Sequence, residues 1–293
     1  MSKLQILDGG TGRELARMGA PFRQPEWSAL ALMEAPHYVG QVHQAYIAAG
    51  ADIITTNSYA VVPFHLGEER FAERGAELAT LAGRLARAEA DAAGRPVVVA
   101  GSLPPVCGSY RPDLVDLERA RAVLSVLIAA MAPYVDHWQA ETLSALAEAE
   151  LVAELVADTG KPLWLSFTLA DEVRAEPALR SGESVAQAAQ LAQRLGAGAL
   201  LFNCSQPEVM QAALAVARAE LGDSVPLGVY ANAFPPMTAD AEANSRLDEI
   251  RADLTPEGYA RFARAWAGEG ASILGGCCGI GPEHIAELAR LHG

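Results

Sequence analysis

The chain has 293 residues, of which 51% are hydrophobic and 20% charged, and this composition is typical of a globular protein with a full buried core. Its 36 Asp and Glu residues outnumber its 22 Lys and Arg residues and give a net charge of −14. Proteins that bind nucleic acid or anionic membranes need a basic face, so this charge argues against both kinds of partner.

The cysteines are best interpreted together with the expected compartment. No apolar run approaches the roughly 20 residues that a membrane-spanning helix needs. The N-terminal stretch MSKLQILDGGTG also lacks the apolar core of a signal peptide. We therefore expect a cytoplasmic protein, in which thiols stay reduced. Its cysteines are then expected to be free, metal-bound or catalytic, and they are Cys107, Cys204, Cys277 and Cys278.

Short apolar runs, rich in β-branched residues, recur along the chain and end in small or polar residues. They lie at 4–10, 51–59, 96–103, 135–142, 162–168, 199–205, 226–233 and 271–278. Several of these runs are apolar almost throughout. This pattern predicts strands that are buried on both faces of a parallel sheet.

Segments with helical periodicity lie between the predicted strands. The first starts at Pro36 and stops at Gly50, and the second runs from about Glu68 to Ala93. The other six start near Asp113, Ser144, Ser184, Pro207, Thr255 and Pro282. Strands that alternate with helices predict a parallel sheet, and eight such units predict a closed α/β barrel, the (β/α)8 or TIM barrel.

A single domain over residues 1–293 is expected, because no linker or low-complexity tract interrupts the alternation. A doubly wound open sheet is the alternative fold. The turn after the first strand reads DGGTG at 8–12 and lacks the G-x-G-x-x-G spacing of a dinucleotide-binding turn. This difference favours the barrel.

The active site of such a barrel lies at the carboxyl ends of its strands. Small and polar residues would meet there, namely Asp8, Gly9, Gly10, Thr56, Asn57, Tyr59, Ser102, Glu141, Thr142, Asn203, Tyr230 and Asn232. Asn57, Ser102 and Asn203 are candidate substrate-binding residues because they end strands two, three and six. We expect small-molecule substrates at this site.

Three cysteines are also predicted at this end of the barrel. Cys204 ends strand six, and Cys277 and Cys278 follow strand eight between glycines. Strand ends two apart in such a barrel lie within reach of one ion. Three thiolates that leave one position open form a catalytic zinc site, and sulfur ligands favour zinc over magnesium or calcium. The alternative is three ordinary buried cysteines. Cys107, in the loop after strand three, is expected to take no part.

The motifs FNC at 202–204 and GGCCG at 275–279 resemble those of the homocysteine S-methyltransferase family. That family includes betaine–homocysteine and S-methylmethionine–homocysteine methyltransferases and the N-terminal module of cobalamin-dependent methionine synthases. Further matching stretches are LDGGTGREL at 7–15, EWSALALMEAP at 26–36, AGADIITTNSY at 49–59, ET at 141–142 and GGCCGIGPEHI at 275–285. The resemblance thus covers essentially the whole chain.

The resemblance implies transfer of a methyl group to the thiol of L-homocysteine, which gives methionine. It implies that Cys204, Cys277 and Cys278 bind Zn²⁺, which activates that thiol. It also implies that Asp8 and Glu141 face the ammonium group of homocysteine. The adjacent residues that would let the main chain approach this ligand are Gly9 and Gly10.

The identity of the methyl donor cannot be transferred from the family, because two loops depart from its pattern. The loop after strand three reads GSLPPVCGSYRPD in place of an SVGPYG-like turn, and strand seven is followed by YANAFPP in place of YPNSGE. A chain of 293 residues lacks room for folate and corrin domains. This favours a small onium donor, S-methylmethionine or S-adenosylmethionine, with betaine as a further candidate. Trp27 and Tyr59 are candidate donor-binding residues, since aromatic faces hold desolvated cations.

Two other functions stay open from the sequence. One is a zinc lyase or hydrolase on the same barrel, although such sites usually use His and carboxylate ligands. The other is a structural or sensory zinc–thiolate protein without catalytic activity. This second function would be favoured if Cys107 completed a zinc site of four cysteines. The sequence indicates no oligomeric state.

Overall fold

The computed structural model describes residues 4–173, 176–236 and 249–292. Eight parallel strands stand side by side in the order β1-β8-β7-β6-β5-β4-β3-β2. They are β1 (Gln5–Ile6), β2 (Ile53–Thr55), β3 (Val98–Leu103), β4 (His137–Leu143), β5 (Leu163–Phe167), β6 (Ala199–Asn203), β7 (Leu227–Tyr230) and β8 (Ala271–Leu274). Leu7 bridges in parallel to Ile53, so the first and last strands of this order also meet. The predicted (β/α)8 barrel is confirmed.

The predicted single domain over 1–293 includes residues that lie outside the described ranges. It therefore stays a prediction, although the barrel is built from strands and helices at both ends of the chain.

The helices of the described residues are α1 (Thr11–Arg17), α2 (Ser28–Glu34), α3 (His37–Ala49), α4 (Pro63–Leu66), α5 (Glu68–Ala92), α6 (Leu117–Met131), α7 (Leu146–Val156), α8 (Val185–Arg194), α9 (Pro207–Leu221), α10 (Pro256–Gly268) and α11 (Pro282–Ala289). All eight predicted helices are present. Helices α1, α2 and α4 were not predicted from the sequence, because helices of seven residues or fewer are too short to show a clear periodicity. None of the helices in these ranges has the length and apolar character needed to cross a bilayer.

The strands are shorter than the apolar runs that predicted them. The run at 51–59 contains only the three residues of β2. The N–H of Thr56 still donates to the carbonyl of Ala100 at 2.9 Å, but the N–H of Ser58 turns back to the carbonyl of Thr56 at 2.8 Å. The end of this run is therefore a loop at the mouth of the barrel, whereas the runs at 96–103 and 135–142 end within β3 and β4.

Successive side chains along each strand point to opposite faces of the sheet and so form two apolar layers. In β6, Leu200 and Phe202 belong to the large core between the sheet and the helices. Ala199 and Leu201 point the other way and join a smaller cluster inside the barrel, with Ile53 and Ile273 among its members. Among the described residues this cluster fills the middle of the barrel, and space for a ligand remains at its carboxyl-terminal end.

We predict that Leu201→Ala lowers the free energy of unfolding by about 2–5 kcal/mol, because it leaves a cavity in the fully buried barrel interior. Urea denaturation followed by circular dichroism measures the change. Leu114→Ala is the matched control, since this leucine is 43% exposed, and it should change stability by less than about 0.5 kcal/mol. Equal losses in the two variants would contradict the described packing.

Candidate active site and metal centre

A cavity of about 860 Å³, counted with its open mouth, lies at the carboxyl ends of the strands. The loops after β1, β2, β3, β6 and β8 contribute to its wall, together with residues of β4 and β7 themselves. Of the residues singled out from the sequence for metal, substrate or donor, ten line it: Asp8, Gly9, Gly10, Trp27, Asn57, Tyr59, Glu141, Cys204, Cys277 and Cys278. The structure thus brings most of the candidates to one place.

The sulfurs of Cys204, Cys277 and Cys278 all lie within 4.8 Å of one another. The nearest two, those of Cys204 and Cys277, are 2.7 Å apart. Three sulfurs at this spacing can all bind one ion, and three thiolates are a donor set that suits zinc. Cys107 does not belong to this group, so the described residues form no site of four cysteines.

Backbone hydrogen bonds around the end of β7 hold the cysteines in place. The N–H of Cys204 donates to the carbonyl of Tyr230 at 3.1 Å, and the N–H of Cys277 donates to that of Ala231 at 2.9 Å. The sulfur of Cys204 accepts hydrogen bonds from three groups, the thiols of Cys277 and Cys278 and the hydroxyl of Tyr110. These donors hold the pKa of Cys204 well below its usual range, so the cluster favours an anionic sulfur.

Asp8 follows β1 and lies against β2. Its carboxylate accepts the backbone N–H of Thr55 at 2.7 Å and the Thr55 hydroxyl at 3.0 Å. Burial nevertheless raises the pKa of Asp8 to about 7, and the nearby charge of Glu141 adds to this effect. A cationic ligand beside Asp8 would therefore stabilise the ionised form of this carboxyl group.

Glu141, in β4, is the second buried carboxyl group of the cavity. It accepts hydrogen bonds from the hydroxyl of Ser102 and, at 3.2 Å, from the hydroxyl of Tyr230. Burial raises the pKa of Glu141 to about 7. Within the described part of the chain, neither Asp8 nor Glu141 forms a salt bridge. Two such groups on one wall are suited to an ammonium group.

Ser102 and Asn203 are fully buried behind the cavity wall. Ser102 donates to Glu141. Asn203 accepts the N–H of Thr142 at 2.9 Å and the hydroxyl of Ser166 at 2.8 Å. These bonds orient residues that do line the cavity. Direct contact of Ser102 or Asn203 with a substrate stays a prediction.

Gly9 and Gly10 let two loops pack directly on each other. A Cβ at Gly9 would lie 2.2 Å from the carbonyl oxygen of Ile280, and one at Gly10 would lie 2.5 Å from that of Cys277. Both glycines are therefore required by the loop that carries the cysteine pair. Their predicted contact with a ligand is a separate matter and stays a prediction.

The wall near α2 carries two more of the candidates. Trp27 is buried and its ring centroid lies 4.8 Å from that of Phe22, so it packs its loop as well as lining the cavity. The side-chain amide of Asn57 donates to the carbonyl of Ser28 at 3.1 Å. A role for Trp27 in donor binding stays a prediction.

Four residues other than glycine have a positive φ among the described residues, and all four line this cavity. They are Trp27 (51°), Tyr110 (65°), Thr142 (59°) and Cys204 (50°). Each such conformation costs about 1–3 kcal/mol and persists only where the surroundings impose it. Strain of this kind is concentrated at functional sites, so it supports the placement of the site here.

Two further residues, Tyr110 and Arg13, line the cavity and were not predicted from the sequence. The hydroxyl of Tyr110 donates to the sulfur of Cys204 at 3.0 Å. The guanidinium of Arg13 lies 5.2 Å from the ring centroid of Phe234. Tyr110 and Phe234 occupy the two loops that depart from the family pattern. That departure was the only available signal, and it does not single out a residue.

A model of the family described as homocysteine S-methyltransferase matches residues 5–292. The chain belongs to this family. Homocysteine S-methyltransferase 4 of Zea mays is 31% identical over 97% of this chain and 88% of its own length. Homocysteine S-methyltransferase YbgG of Bacillus subtilis is 29% identical over 98% of this chain and 93% of its own.

A solved structure gives the same assignment. The metallated form of the homocysteine methyltransferase MmuM from Escherichia coli is 29% identical, with a TM-score of 0.80 over 99% of this chain and 96% of that one. As a member of the homocysteine S-methyltransferase family, the chain is a methyltransferase that acts on small-molecule substrates.

The raised pKa of Glu141 has a consequence for stability. The folded protein binds this proton more tightly than the unfolded chain, in which the pKa is near its usual 4.5. Stability contributed by the group is therefore lost as the pH rises from about 4.5 through about 7, and the loss is on the order of 3 kcal/mol.

We therefore predict that Glu141→Gln flattens the decrease of the unfolding free energy between about pH 5 and pH 8. The neighbouring hydroxyls of Ser102 and Tyr230 can accept as well as donate, so they accommodate the amide. Urea denaturation of the metal-free protein at each pH measures the slope. Parallel pH profiles for the two proteins would show that Glu141 keeps an ordinary pKa.

Proposed function

We propose that the protein transfers a methyl group from a small onium donor to the thiol of L-homocysteine, with Zn²⁺ bound by Cys204, Cys277 and Cys278. The observation that carries the proposal is the group of three sulfurs within 4.8 Å, at a cavity that also holds Asp8 and Glu141. The relationship to MmuM, solved in a metallated form, supports a metal at this position.

The three cysteines fit zinc in number and kind, because three thiolates leave one coordination position for a substrate. When bound there, zinc supplies a Lewis acid that lowers the pKa of the homocysteine thiol and makes it a nucleophile at neutral pH. The protein supplies the alignment, since methyl transfer needs the sulfur and the methyl carbon held in line with water excluded.

Asp8 and Glu141 would bind the ammonium group of homocysteine. Each is buried with a pKa of about 7, so a cation beside it would favour the ionised form and offset the loss of hydration. Arg13, which lines the same cavity, would bind the carboxylate of an amino-acid substrate. The cavity thus offers partners for all three polar groups of homocysteine.

The methyl donor is proposed to be S-methylmethionine or S-adenosylmethionine, with betaine as a third candidate. Trp27, Tyr59 and Tyr110 line the cavity together with the cysteines. Their aromatic faces would attract the positive charge on sulfur or nitrogen that activates the methyl group. A cavity of about 860 Å³ has room for small ligands of this kind.

The test is a turnover assay with homocysteine and each of the three donors, with zinc content measured on the same sample. We expect methionine from at least one donor. Cys278→Ala should lose both bound zinc and activity, because two sulfurs hold the ion poorly. A wild-type protein that is inactive with every donor would overturn the proposal, and a Cys278→Ala variant with full activity would overturn the metal mechanism.

We also predict that Glu141→Gln raises the KM for homocysteine about 10- to 100-fold, because it removes a buried charge that faces the ammonium group. Zinc content should not change. Glu148→Gln is the matched control: Glu148 is also buried with a pKa raised to about 7, but it accepts backbone N–H groups at the start of α7, outside the cavity. Loss of zinc in the Glu141 variant would instead indicate that the residue supports the metal site.

A further inference from the structure

The loop between β3 and α6 places a phenol directly on the sulfur cluster. Tyr110 is buried, and its hydroxyl donates to the sulfur of Cys204 at 3.0 Å. A thiolate sulfur has several lone pairs, so it can accept such a bond while it also binds an ion. This contact is the reason to assign Tyr110 a role beyond that of an aromatic wall.

The ring of Tyr110 packs against a buried ion pair. The guanidinium of Arg180 lies 4.9 Å from the ring centroid of Tyr110. Arg180 in turn pairs with Asp171 at 2.8 Å, and the side chains of the two are only 7% and 3% exposed. Asp171 also accepts the backbone N–H of Gln206 at 3.0 Å, two residues after Cys204. The tyrosine and the cysteine therefore share one buried scaffold.

The backbone of Tyr110 points to the same conclusion. Its φ of 65° is unfavourable for a bulky side chain. The protein nevertheless adopts this strained backbone conformation, in which the ring of Tyr110 lines the cavity. The loop differs from the family pattern in sequence, so this arrangement could not be transferred from relatives.

We propose that Tyr110 is a positioning residue for the metal centre. Its hydroxyl donates to the sulfur of Cys204 and so fixes the direction of this ligand, and it shares part of the negative charge that three close sulfurs bring together. With zinc held by Cys204, Cys277 and Cys278, a ligand that shares its charge in this way would leave the ion a stronger Lewis acid toward the homocysteine thiol. This inference rests on the proposed function, because it requires zinc and homocysteine at the site.

The experiment uses Tyr110→Phe, which removes the hydroxyl and keeps the ring under Arg180. The first measurement is zinc affinity, by competition with a chromophoric chelator, and we expect about a 10-fold loss. The second is homocysteine binding to the zinc-loaded protein as a function of pH. We expect its midpoint to rise by about 0.5 pH unit, which corresponds to about a threefold weaker affinity on the acidic side.

Tyr134→Phe is the control. Tyr134 lies between α6 and β4, packs against Gly83 and does not line the cavity. Loss of its hydroxyl should leave zinc affinity and the pH midpoint unchanged. Arg180→Lys is a second route to the same test, because it keeps a positive charge near Asp171 and removes the planar group over the Tyr110 ring. It should shift both quantities in the same direction as Tyr110→Phe, by less.

A Tyr110→Phe protein that melts like the wild type and shows wild-type zinc affinity and pH midpoint would overturn the inference alone. If Tyr110→Phe fails to fold, Arg180→Lys decides, and wild-type values there would overturn it. A wild-type protein that binds no zinc, or binds zinc but not homocysteine, would overturn the proposed function and this inference with it.

Discussion

The hydrogen bonds that run from the end of β7 to its neighbours on both sides are the constraint on which this site depends. Cys204 and Cys277 are 73 positions apart, yet each donates its backbone N–H to a carbonyl at the end of the same strand, that of Tyr230 or Ala231. The carbonyl of Cys278 accepts the N–H of Ala233. Since the ladder of a closed barrel sets these registers, the spacing of the sulfurs follows from the fold.

The cavity combines groups whose burial is individually unfavourable. Two carboxyl groups and three sulfurs share one enclosed space, and burial favours the neutral form of both carboxyls. The strained backbone of four lining residues adds to this cost. The packed layers around the barrel provide the stability that offsets it. Under the proposed function, a zinc ion and a zwitterionic amino acid would supply the opposite charges, so this cost would be smaller when the site is occupied than when it is empty.

Much of this could be predicted from the sequence, and the reasons differ by residue. The barrel was predictable because each strand is an apolar run and each long helix has its own start or stop signal. The cysteines were predictable because strand ends of a barrel meet in space, whatever their separation in the chain. Asp8 and Glu141 were predictable by resemblance, since they lie in stretches that match the family.

Other features depend on contacts that no local pattern encodes. Tyr110 reaches Cys204 only because Arg180 and Asp171, far along the chain, hold its ring. Asn203 ends β6 as expected and Ser102 lies one residue before the end of β3, yet their side chains turn to Thr142 and Glu141, away from the open space. The direction of a side chain at a strand end depends on its neighbours across the sheet, and the sequence of one strand does not specify them.

The join between β1 and β2 has a consequence of its own. β1 has two residues and β2 has three, so the ring closes there through a short set of bonds that includes the N–H of Asp8 and the carbonyl of Ile53. The side chain of Asp8 also reaches across this seam to Thr55. A ligand that binds Asp8 therefore binds beside this junction. Under the proposed function, homocysteine that contacts Asp8 would also stabilise the pairing of β1 with β2, because a ligand that binds only the folded state stabilises that state.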